Sequence, residues 1–111
     1  MAYDKELAAR MYQIIEAMNP PGLVEKKMFG GVAYLVQGNM ACGVHQDWLI
    51  VRVGNEGYMD ALNRPGARPF DMTGRPMSGW VNVKPAGFST EQALREWVNL
   101  GVQFALTLPP K

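Results

Sequence analysis

The strongest constraint on the fold lies between residues 26 and 53, KKMFGGVAYLVQGNMACGVHQDWLIVRV, where three strand-like runs are separated by very short connections. Gly38-Asn39 joins the first two runs, and a two-residue loop containing glycine is the usual tight hairpin turn. That turn sets Gln37 opposite Met40, Val36 opposite Ala41, Leu35 opposite Cys42, Tyr34 opposite Gly43 and Ala33 opposite Val44. Gln46-Asp47 joins the next pair. It sets His45 opposite Trp48, Val44 opposite Leu49, Gly43 opposite Ile50, Cys42 opposite Val51 and Ala41 opposite Arg52. Side chains alternate across a strand with period two. One face then carries Ala33, Leu35, Met40, Cys42, Val44, Leu49, Val51 and Val53, all apolar, and is expected to be core. The other carries Val32, Tyr34, Val36, Ala41, Gly43, His45, Trp48, Ile50 and Arg52. A slip of one residue would exchange the two sets.

The flanking segments supply cover for the apolar face. From Asp4 to Met18 the apolar residues Leu7, Met11, Ile14, Ile15 and Met18 recur at spacings of three and four, with Asp4 placed to cap the start. Asn19-Pro20-Pro21-Gly22 ends that helix, and Leu23 to Phe29 reads as an extended lead-in to the sheet. Gly30-Gly31 marks a bend or bulge. A short helix is expected from Glu56 to Leu62. Two more strands are expected, Arg68 to Met72 and Trp80 to Lys84, joined across Thr73-Gly74-Arg75-Pro76. Ser89 caps the last helix with Gln92 as a capping-box partner. The stripe of that helix is Leu94, Trp97, Val98, Gly101, Phe104, Ala105 and Leu108, and Gly101 permits a close approach. These elements predict one domain over residues 1–111. Its class is α+β, two-layer, with a predominantly antiparallel sheet, helices packed on one face, and the order α-β-β-β-α-β-β-α.

Composition narrows the function classes. The 111 residues are 48% hydrophobic and 19% charged, ordinary for a folded domain of a single core. Eleven basic against ten acidic residues give a net charge of +1, so no strong global field attracts nucleic acid or a membrane. No apolar run approaches the roughly 18–20 residues that span a bilayer. The N-terminal residues do not read as a signal peptide, and one cysteine excludes an internal disulfide. A cytoplasmic protein is expected.

The run KKMFGGVAYLVQGNMACGV, followed by LIVRV, PFDMTGRPM, GWVNVKP and a closing helix containing Trp97, resembles the N-terminal domain of the TfoX/Sxy family. Those proteins are bacterial regulators of competence for DNA uptake. The resemblance covers nearly the whole chain. Its most specific part is Met28-Phe29-Gly30-Gly31, then a hydrophobic strand and a glycine-containing turn. It implies an α+β domain with this element order and a role in regulation or interaction, and it carries over no catalytic residue. Full-length regulators of the family have a second, C-terminal domain, for which a chain ending at Lys111 has no room. The resemblance therefore narrows the fold more than the function.

Candidate chemistry is sparse. Cys42 and His45 invite a nucleophile-and-base pairing, but three positions apart on one strand they face opposite sides. Cys42 reads as a small core hydrophobe and His45 as a packing residue at the sheet edge. One cysteine and one histidine fall short of a metal site, so no metal or cofactor is expected. Gly30-Gly31 could cradle an anion on its N–H groups, with Lys27, Arg68 and Arg75 supplying charge. No Walker-type lysine follows and no helix opens there, which favours a bend. The basic residues come without an RNA-recognition or helix-turn-helix pattern, which argues against nucleic acid.

The second sheet face is the binding candidate. It carries Tyr34, Trp48 and Ile50, joined by Trp80, with His45 and Arg52 rimming a shallow depression over Ala41 and Gly43. Left in water, these side chains would expose an area at or above the largest patch usual on a monomer, roughly 300–600 Å². Either a partner or the loop from Arg64 to Met77 covers it. The expected function is a small non-enzymatic interaction or regulatory domain that binds a protein partner or itself as a homodimer. The alternative is a small-molecule binder or enzyme using the aromatic face with Arg52 and His45.

Overall fold

A computed structural model describes residues 3–28, 30–70 and 78–110. Asp4 caps the first helix, α1 (Lys5–Met18), its carboxylate accepting the Leu7 N–H at 3.0 Å. The helix buries Leu7, Ala8, Met11, Ile14 and Ile15, and Asn19 closes it with a left-handed φ of 52°. Four strands follow in sequence, β1 (Leu23–Met28), β2 (Gly31–Val36), β3 (Asn39–His45) and β4 (Trp48–Arg52). Then come α2 (Gly54–Leu62), β5 (Ala67–Pro69), β6 (Trp80–Val83), a 3-10 turn (Pro85–Phe88) and α3 (Glu91–Leu106). The strands form one open antiparallel sheet of six, in the order β1-β2-β3-β4-β6-β5. The helices pack against it, so the class is α+β as expected.

The sequence-based order is short by one strand. The expected lead-in is a full strand, β1, paired with β2 from Leu23↔Val36 to Met28↔Gly31. Its charged run Glu25-Lys26-Lys27 obscures the alternation, yet charged side chains are what an edge strand carries to resist pairing with other chains. The strand expected at residues 68–72 is Ala67–Pro69, and residues 71 and 72 lie outside the described residues. The cap of α3 is Thr90, whose hydroxyl accepts the Ala93 N–H at 3.1 Å, while Ser89 closes the 3-10 turn.

The register of β3 against β4 is as expected, from Cys42↔Val51 to His45↔Trp48. That of β2 against β3 differs. The turn residues are Gln37 and Gly38, with φ of 55° and 84°, so Val36 rather than Gln37 begins the ladder, opposite Asn39. Both turn residues are left-handed, as the favoured two-residue hairpin turn requires. Asn39 belongs to the strand, 3% exposed, its side-chain amide donating to the Pro109 carbonyl at 2.9 Å. A shift between Tyr34 and Leu35 then makes Ala41 the extra residue of a bulge, giving Leu35↔Met40 and Tyr34↔Cys42.

The consequence is that β2 presents the opposite face from the one expected. Val32, Tyr34 and Val36 join Cys42, Val44, Leu49, Val51 and Val53 in the helix-covered core, with Val81 and Val83 from β6. Ala33, Leu35 and Met40 lie on the other side. The closest helix-to-sheet approach is at Gly101 of α3, which packs directly on the Ala41 carbonyl. Among the described residues no helix is long and apolar enough to cross a membrane.

Candidate functional site

The face turned away from the helices is built by alternation. It carries Trp48, Ile50 and Arg52 from β4, Trp80 and Asn82 from β6, and Met40, Gly43 and His45 from β3. Arg52 stands opposite Trp80, and Ile50 lies between Gly43 and Asn82. Ala33, Ile50 and Phe70 are buried yet stand outside the cluster that the helices cover. Two half-buried tryptophans each hold a cation. The Arg52 guanidinium lies 5.1 Å from the Trp80 ring centroid and 5.5 Å from that of Phe104, and the Lys84 ammonium lies 5.6 Å from that of Trp48. Phe70 packs on Trp80 at 6.2 Å, tilted by 37°. Such contacts stabilise by about 0.5–1 kcal/mol each at exposed sites.

Among the described strand residues, charge on this face is of one sign. The outward positions carry Lys26, His45, Arg52 and Arg68, with Lys84 continuing the line of β6, and no carboxylate among the described strand residues. The small residues expected to form a depression do not act together. Ala41 belongs to the core, and the methyl group of Met40 lies over Gly43, 3.1 Å from where a β-carbon would stand.

Tyr34 is not part of this face. It is 1% exposed in the core, its hydroxyl donating to the Ala8 carbonyl at 2.8 Å. Burial, reinforced by the charge of Glu25, raises its pKa above the ordinary phenol value. His45 is half-buried opposite Trp48, on the side away from Cys42. The anion candidates do not assemble. Gly30-Gly31 lies at the turn from β1 to β2, while Lys27 lies on β1 and Arg68 on β5, the opposite edges of the sheet. Five strand spacings separate them, roughly 24 Å. Gly31 instead packs against the Val44 carbonyl, where a β-carbon has no room. Arg75 lies outside the described residues, as does the part of the proposed covering loop from residue 71 to 77. Of the earlier part, only Phe70 packs on the face, against Trp80. Arg64 pairs with Glu96 at 3.3 Å, and β5 extends the sheet at its edge.

Cys42 is fully buried, and burial alone pushes its thiol up to about 12. Nothing there suits a nucleophile, because the reactive form is the thiolate. Cys42→Ser is expected to destabilise by about 1–3 kcal/mol, since a hydroxyl would be buried without a partner. Urea denaturation measures this, and rapid thiol labelling of the native protein would show the side chain to be exposed instead. Among the described residues no group of three His, Cys, Asp or Glu side chains could hold a metal ion.

Reading the sequence missed Lys84, Phe70 and Phe104 as members of the face or its border. The alternation Trp80, Asn82, Lys84 carried the signal for Lys84. Phe104 could not be found that way, because it comes from a helix and reaches Arg52 at the end of a strand. The family described as TfoX N-terminal domain matches the chain over residues 17–105. No curated protein and no solved structure matches it.

Proposed function

This chain belongs to the TfoX N-terminal domain family, and on that premise we propose that it is a non-enzymatic binding domain whose sheet face carrying Trp48 and Trp80 docks an acidic protein partner. One observation carries the reading: Trp48 and Trp80 each stack with a cation on a face that has no outward carboxylate among the described strand residues. Tryptophan and arginine are the residue types that dominate binding energy at protein interfaces. The cations decide between partners. Two copies meeting on this face would bring Arg52, Lys84 and Arg68 near their own kind, which disfavours the homodimer. Bases stack on open ring faces, and here Arg52 and Lys84 already cover the tryptophans. The small-molecule alternative is less favoured, because among the described residues Met40 lies over Gly43. A regulatory role like that of the family's competence regulators would be exercised through such a protein contact. The buried, unpaired thiol suits a reducing compartment such as the cytoplasm.

The test is a titration at low salt with a blocked, glutamate- and aspartate-rich peptide, followed by tryptophan fluorescence. Saturable binding is expected, weakened by at least about tenfold in Arg52→Glu/Lys84→Glu with an unchanged circular dichroism spectrum. Equal binding by that double variant would overturn the reading. Tighter binding of single-stranded DNA would assign the face to nucleic acid. Concentration-dependent dimerisation that the double variant loses would restore the homodimer.

A further inference from the structure

A second surface, on the helix side of the sheet, is chemically the reverse of the first. Helix α1 packs chiefly on α3 and β3 and stands apart from the edge strand β1. Between them lies an open cleft of ≈ 510 Å³, within the range of about 300–1,000 Å³ usual for small-ligand sites. One helical face supplies its wall, through Lys5, Ala8, Ala9, Tyr12, Gln13 and Glu16. These positions recur at spacings of three and four. Ala8 and Ala9 are small, which opens the space above Tyr34. Tyr34 forms the floor, Tyr3 closes one end, and Glu25 of β1 faces the helix from the opposite side.

We propose that this cleft is a binding site for an organic cation, an alkylammonium or guanidinium group seated against Tyr3 and Tyr12 between Glu16 and Glu25. The tyrosine rings give the aromatic surface: Tyr12 and Tyr34 lie 6.1 Å apart at 44°, so their faces are inclined rather than stacked on each other. Ring faces of this kind attract cations through their negative quadrupole. The carboxylates give the charge. Neither Glu16 nor Glu25 forms an ion pair among the described residues, whereas the exposed Glu91 and Glu96 do. Lys5 also lines the cleft and offsets one of the two negative charges, leaving the site net anionic. The Tyr34 phenol registers the same field, since the charge of Glu25 opposes its ionisation. Burial, the larger cause, disfavours any charge at the phenol, but the Glu25 charge that opposes a phenolate attracts a cation. Tyr34 at the floor is 1% exposed and its hydroxyl is already engaged with the Ala8 carbonyl, so the half-buried Tyr3 and Tyr12 supply the accessible aromatic surface.

The cation can arrive free or as a lysine or arginine side chain of a peptide, and β1 is an unpaired sheet edge beside the cleft. Backbone amide NMR of the ¹⁵N-labelled protein separates these sources, with tetramethylammonium and butylammonium in one arm and a blocked lysine peptide in the other. Sodium chloride of equal ionic strength is the reference. Saturable shifts confined to Tyr3, Ala9, Tyr12, Gln13 and Glu25 are expected with the free amines. Glu25→Gln is expected to weaken them by about tenfold. Glu25 is exposed on an edge strand, so this variant keeps the fold, and Tyr12→Leu is the second variant. A peptide that binds more tightly than the amines, with added shifts along β1, would assign the site to a side-chain cation. Shifts that do not saturate, that match sodium chloride, or that survive both variants would overturn the proposal. None of these outcomes bears on the opposite sheet face, which Arg52 and Lys84 test separately.

Discussion

Gly101→Ala is expected to destabilise the domain by about 2–3 kcal/mol, although alanine is the better helix former by about 1 kcal/mol. A β-carbon at residue 101 would collide with the Ala41 carbonyl, come within 3.1 Å of the carbonyl carbon, and meet a Val51 methyl at 3.4 Å. The first two are backbone atoms of the central sheet, held in place by the bulge at Ala41, and cannot rotate away as a flexible side chain could. The helix must lift, and Leu94, Trp97, Val98 and Val102 on the same helix lose packing with it. Gly101→Leu is expected to abolish cooperative folding. The control is Gly57→Ala in α2, where the nearest atom to the new β-carbon is a Val53 carbon at 3.9 Å. That change should stabilise by about 0.5–1 kcal/mol. Urea unfolding of the three variants decides the matter. An alanine at residue 101 that raises the midpoint would mean that α3 does not rest on β3 there.

The close approach at Gly101 was legible in the sequence because the apolar stripe of α3 runs through it. So were the cap at Asp4, the β3–β4 register and the two-layer plan, each of which depends on residues near one another in the chain. The hairpin at residues 37–39 shows where local reasoning stops. Gln37-Gly38 and Gly38-Asn39 are both acceptable two-residue turns. The choice between them is made by Asn39, whose side chain bonds to Pro109, seventy residues further on. The bulge at Ala41 has no local sequence mark either. The turn shifts the pairing by two residues and keeps the faces, so it is the one-residue bulge that carried Tyr34 from the expected binding face into the core. The aromatic face survived that change because Trp48, Ile50 and Arg52 are fixed by the β3–β4 turn alone, where Gln46 takes a left-handed φ of 57° without being glycine. The cleft beside α1 was not legible, because it is formed by an edge strand that the charged run at residues 25–27 concealed.

Trp97→Ala is expected to cost about 3–5 kcal/mol, the range for truncating a large buried aromatic. Trp97 is 2% exposed, and its indole N–H donates to the Gly87 carbonyl at 3.1 Å, fastening α3 to the 3-10 turn that follows β6. Truncation leaves that carbonyl unpaired and removes the ring beneath the Arg64 guanidinium, 5.5 Å from its centroid. Trp97→Phe retains most of the volume and loses the hydrogen bond, so about 1–2 kcal/mol is expected. Thermal and urea unfolding measure both, and a Trp97→Ala protein that melts like the parent would mean that α3 is not anchored at Gly87. The phenylalanine variant also sharpens the functional test. The chain has three tryptophans, and removing the one in the core leaves Trp48 and Trp80, the two that carry cations on the face turned away from the helices. An acidic peptide that displaces Lys84 and Arg52 from those rings must change the remaining fluorescence, and one that binds elsewhere must not.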